Sequence, residues 1–132
     1  MRYMLMMHAP RGTGDWGVMN WSPEDLTAHI TFMKDFSTKL GQAGELVGAE
    51  GLAPPGEARV VRAGKNGAPA ITDGPFAEAK EFLAGYWIVE VDRPERAYQI
   101  AAEASAAPGK GGEPLNMPIE VRQVMSAPPV DV

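Results

Sequence analysis

A helix-start signature occurs twice in this chain, each time downstream of an apolar strand-like run. Ser22-Pro23-Glu24-Asp25 offers a serine N-cap, a proline at the first helical position and acids in the first turn. Asp92-Arg93-Pro94-Glu95 repeats that logic, with aspartate as the cap and glutamate three residues on. The runs upstream are Arg2 to His8 and Gly85 to Val91. The first helix extends to Gly41 or Gly44, with Leu26, Ile30, Met33, Phe36 and Leu40 at helical spacing on one face. The second turns Ala97, Ile100, Ala101 and Ala104 inward. Glu45 to Leu52 reads as a further strand, and Ile119 to Met125 alternates as a last one.

Between these units, Arg59 to Ala63 and Ala68 to Thr72 flank Gly64-Lys65-Asn66-Gly67, a hairpin with Asn-Gly in its turn. Pro69 assigns the second arm to an edge. The order is β-α-β, hairpin, β-α-β. With the hairpin as an insertion this predicts an α+β, ferredoxin-like split βαβ over residues 1–125, with a tail at 126–132. Two helices cover one face of such a sheet, yet the first strand is apolar at consecutive positions, as strands covered on both faces are. A second copy of the same sheet is the simplest cover, so we expect a homodimer whose sheets face each other.

Bulk properties narrow the function. At 132 residues the chain is one domain that can bury a core without staples. Its net charge of −5 and lack of a basic run disfavour nucleic acid and anionic membranes as partners. With no cysteine there is no disulfide, thiolate metal site or cysteine nucleophile. Two histidines on separate elements predict no metal and no bound cofactor. No signal peptide and no membrane-spanning run is recognisable, which points to the cytoplasm.

Chemistry concentrates in Asp73-Gly74-Pro75-Phe76-Ala77-Glu78-Ala79-Lys80-Glu81, directly ahead of the most apolar strand. Gly-Pro restrains the turn, because proline fixes its own φ and restricts the residue before it. Asp73 is then either a turn former or a functional carboxylate, and Glu78, Lys80 and Glu81 are held nearby. His29 falls on the apolar face of the first helix, where an imidazole needs a partner. Either a backbone carbonyl supplies it, or Asp73 does and the two form a general acid/base pair. His8, at the end of the first strand, is the other histidine that could reach a cleft. Trp16, Trp87 and methionines such as Met7 and Met33 could wall an adaptable pocket. Pro108 to Gly112 lacks the context of a phosphate loop and reads as a flexible flap.

Several of these strings together resemble the YCII-related proteins of the DGPF type. They are Arg2-Tyr3-Met4-Leu5, Ser22-Pro23-Glu24, Ala43 to Gly48, Gly51-Leu52-Ala53-Pro54-Pro55, Thr72 to Glu78 with Lys80-Glu81, and Ile119-Glu120-Val121-Arg122. The resemblance implies a dimeric α+β barrel and a bacterial protein of undefined role. It also implies kinship with small lactone isomerases and a dehydrochlorinase of a hydroxyquinone, and a link to extracytoplasmic-function sigma factors. Ala79 and Gln123 stand where the family pattern has threonine and proline, and His29 lies about one helical turn from the expected place.

Two readings follow. In one, the protein is a dimeric module that binds a small molecule or a regulatory partner. In the other, it is a cofactor-independent lyase or isomerase acting on a small aromatic or lactone-like compound. There His29 and Asp73 would be catalytic, and His8, Trp16, Trp87, Glu78, Lys80 and Glu81 would contact substrate.

Overall fold

A computed structural model describes residues 1–10, 21–76 and 79–125. In chain order its elements are β1 (Arg2–Pro10), α1 (Pro23–Gln42), β2 (Leu46–Gly51), β3 (Arg59–Ala63), β4 (Pro69–Asp73), β5 (Glu81–Glu90), α2 (Pro94–Ser105) and β6 (Ile119–Gln123). One antiparallel sheet runs β2-β5-β1-β6, and β3 and β4 form a separate two-stranded sheet. Setting the hairpin aside, the strand order is second, third, first, fourth, the ferredoxin-like arrangement expected above. Within the chain the sheet is open, with β2 and β6 at its edges.

Local chemistry accounts for the helix ends. Ser22 Oγ accepts from the Asp25 N–H at 3.1 Å, and Pro23 begins α1. After Ala43 the chain reverses at Gly44 (φ +71°), with Gly44 N–H on the Gly41 carbonyl and Glu45 N–H on that of Leu40. For α2 the expected cap shifts by one. Pro94 takes the first helical position, so Arg93 rather than Asp92 is the N-cap, without a side-chain bond.

The pleat divides the sheet into unlike faces. Tyr3 opposite Val89 and Leu5 opposite Trp87 are buried under the helices. Phe36, Leu40, Ala97 and Ile100 complete the core from α1 and α2. Met4 opposite Ile88 and Met6 opposite Tyr86 point the other way and are only half-buried.

Three sequence expectations need adjustment. Ile30 is 43% exposed; the inward row is His29, Phe32 with Met33, then Phe36 and Leu40, which share a face at 100° per residue. β5 starts four residues early, at Glu81, because β1 extends to Pro10 and offers it a partner. β6 ends at Gln123, opposite Tyr3, and one further bond, from the Val124 N–H to the Arg2 carbonyl at 2.9 Å, follows it.

Candidate functional site

The two residues nominated for proton transfer have different partners. His29 is half-buried in α1, with Nδ1 donating to the Pro108 carbonyl at 3.0 Å and its ring edge-on to Trp21 at 5.3 Å. Because a carbonyl only accepts, that bond places a proton on Nδ1. Asp73, at the end of β4, is 90% exposed and its Oδ1 lies 3.2 Å from Arg59 Nε. The turn beyond it uses Gly74 at φ +80°, a conformation that a Cβ disfavours.

His29 is therefore a fastener between elements. Asp25 Oδ2, one turn earlier in α1, accepts from the Gly111 N–H at 2.8 Å, so two side chains of α1 hold the 108–112 segment. Gly109 N–H adds a 2.7 Å bond to the Glu113 carbonyl. The segment expected to be a flap is a short 3-10 turn, Lys110–Gly112, tied down from both sides.

The remaining nominated residues scatter. His8 sits on the open sheet face, its Nε2 2.9 Å from Glu120 Oε1. Trp87 is buried, edge-on to Phe36 at 5.9 Å. It lines a cavity of about 200 Å³ with Met7, Met33, Ser37, Glu50 and Tyr86. The methionines thus divide: Met7 and Met33 join this cavity, Met4 and Met6 the open face, and Met117 is buried. Lys80 is exposed, as is Glu81 at the start of β5. Trp16 and Glu78 lie outside the described residues. Among the described residues no three His, Cys, Asp or Glu side chains cluster to hold a metal ion. No described helix is long and apolar enough to cross a membrane.

A larger cavity, of about 410 Å³, takes in one nominated residue, Glu81. It lies between the segment leaving β2 and the segment entering β5. Leu52, Pro54, Pro75, Phe76, Phe82 and Leu83 give it an apolar lining, with Glu57 and Glu81 the charged members. Two separate strings, Gly51-Leu52-Ala53-Pro54-Pro55 and Asp73-Gly74-Pro75-Phe76, supply part of the wall, and Glu57, Ala58 and the start of β5 supply the rest. Gly74 N–H bonds the Ala58 carbonyl at 2.8 Å, and Leu52 N–H bonds the Ala84 carbonyl at 2.9 Å, which draws the strings together. The signal was present in the sequence as two proline-bearing turns, but their proximity was not.

A third cleft, of about 550 Å³, is polar and its main cation is already engaged. Arg96 forks onto Glu45, Nε to Oε2 and Nη2 to Oε1, both at 2.8 Å. These hydrogen bonds hold the Glu45 carboxyl below its ordinary range, against the opposing effect of burial, and raise Arg96.

Comparison with known proteins gives one family. The model of the YCII-related domain matches residues 1–112. No curated protein matches the chain.

Proposed function

The chain belongs to the YCII-related family, and on that premise we propose that it is a homodimeric, cytoplasmic module that binds a small, largely apolar molecule. One observation carries this reading: the two turn strings meet around an apolar cavity of about 410 Å³, within the size range of small-molecule sites. Its lining is rigid at Pro54, Pro55 and Pro75. Among the described residues no histidine lines it, and the lining supplies apolar surface and the carboxylates of Glu57 and Glu81.

Dimerisation is supported by the open face of the sheet, where Met4, Met6, Tyr86 and Ile88 are left half-buried. Two such faces packed together would complete the α+β barrel that the family resemblance implies. The alternative, acid/base catalysis by His29 and Asp73, draws no support from the geometry, since Pro108 and Arg59 are their respective partners.

Binding of the neutral fluorophore N-phenyl-1-naphthylamine tests the proposal. We expect saturable binding of one dye per chain, weakened tenfold or more (about 1.4 kcal/mol) by Ala58→Trp, which fills the cavity from its wall. Dye that fails to saturate, or that binds Ala58→Trp as it binds the wild type, overturns it.

A further inference from the structure

The β3–β4 hairpin is the least covered part of the fold. Five residue pairs join its strands, from Arg59 opposite Asp73 to Ala63 opposite Pro69. Every residue of β4 is exposed, and in β3 only Val60 is half-buried. Val61 and Ile71 are direct partners on one face, at 57% and 60% exposure. A lone two-stranded hairpin is marginal in water. An apolar pair at its centre therefore calls for an outside surface.

Charge and area identify that surface. Arg59, Arg62 and Lys65 against the carboxylate of Asp73 give residues 59–73 a charge of +2, so the rest of a chain with net charge −5 carries −7. A basic arm on an acidic body is complementary to a second copy of itself, and the match is reciprocal under two-fold symmetry. The four-stranded face alone is small. Its four strands hold 30 residues, which at about 3.4 Å rise and about 4.8 Å spacing give a planform of roughly 500 Å². That falls short of the ~800 Å² per partner of a standard interface.

We infer that the β3–β4 hairpin is a dimerisation arm, packing its Val61–Ile71 face against the acidic body of a second copy. The inference rests on the dimer proposed above and extends it. The arm supplies interface area that the sheet face lacks. On its Val61–Ile71 face Arg59 and Asp73 neutralise each other, and Arg62 on the other face with Lys65 in the turn carries the net charge that steers the pairing at longer range.

Mixed dimers of methyl-labelled and unlabelled chains separate the two ideas. The expected result is intermolecular nuclear Overhauser effects from the Val61 and Ile71 methyl groups, together with those of Ile88 on the open face. Effects from Ile88 alone overturn the arm while the sheet-face dimer stands. Sedimentation of the wild type as a monomer at all concentrations overturns both. Sedimentation of Val61→Glu/Ile71→Glu adds strength to contact: the dimer dissociation constant should rise tenfold or more. A constant equal to the wild type's means that the arm carries no binding energy, and overturns its role.

Discussion

The main sheet and the β3–β4 hairpin use the same antiparallel pairing and end up in opposite environments. In the main sheet, Leu5 and Val89 lie at 0% exposure beneath two helices. In the hairpin, the equally apolar Val61 and Ile71 face water within the chain. Turn chemistry explains the pairing of the hairpin: Asn66 at φ +61° and Gly67 at φ +78° make the reversal. It says nothing about burial, which depends on which elements lie above a strand. Strand formation and core formation are thus separate consequences of one alternating pattern, and only the main sheet achieves both inside one chain.

The sharpest way to break this comparison is to truncate both regions. Leu5→Ala or Ile100→Ala should cost about 3–4 kcal/mol in urea unfolding, the usual loss for a fully buried aliphatic side chain. Ile71→Ala, measured at a concentration where the chain is monomeric, should stay within about 0.5 kcal/mol. A loss above about 2 kcal/mol at Ile71 would mean that the arm packs within its own chain.

Next in size is the ion pair that ties the start of β2 to α2. Arg96→Met leaves Glu45 without its fork, and we expect a loss of about 1–2 kcal/mol at neutral pH, discounted because the Arg96 side chain is 30% exposed. The sign with pH follows from the lowered carboxyl. The stabilisation is complete above the ordinary value of 4.5 and is lost as pH falls through the lower folded value. Wild type and Arg96→Met should therefore converge in stability on acidification. Parallel pH curves would show that the pair is not the cause.

A smaller effect belongs to the boundary between the two regions. Gly74→Ala places a Cβ at φ +80° in the turn between the hairpin and β5, and about 1 kcal/mol of destabilisation is expected. If the cavity wall shifts with the turn, N-phenyl-1-naphthylamine affinity should fall as well. An unchanged affinity would localise the strain to the hairpin base.

The smallest expected effect is none at all. Asp73→Asn should leave the ¹⁵N shifts of the His29 ring in the pattern of the Nδ1-protonated tautomer, because Pro108 and not Asp73 holds that nitrogen. A change in tautomer would restore the acid/base reading.

Much of the architecture was legible because its signals are local. Ser22-Pro23 and Pro94 mark where helices begin, and Ala97, Ile100, Ala101 and Ala104 are all buried as their spacing requires. His29 was recognisable as an inward residue of α1 by the same rule. Its partner was not, since Pro108 lies 79 residues away and any carbonyl looks alike in a sequence. Glu45 and Arg96, 51 residues apart, went unnoticed for the same reason.

The sequence by itself determined the elements, their order and the apolar face of each, because caps, turns and periodicity act over a few residues. Tertiary structure alone decided which partner each polar side chain found. It also brought Pro54 and Pro75 to one cavity while keeping His29 and Asp73 on separate partners. Those outcomes depend on through-space distance, and that is set by how the helices and the hairpin pack rather than by spacing along the chain.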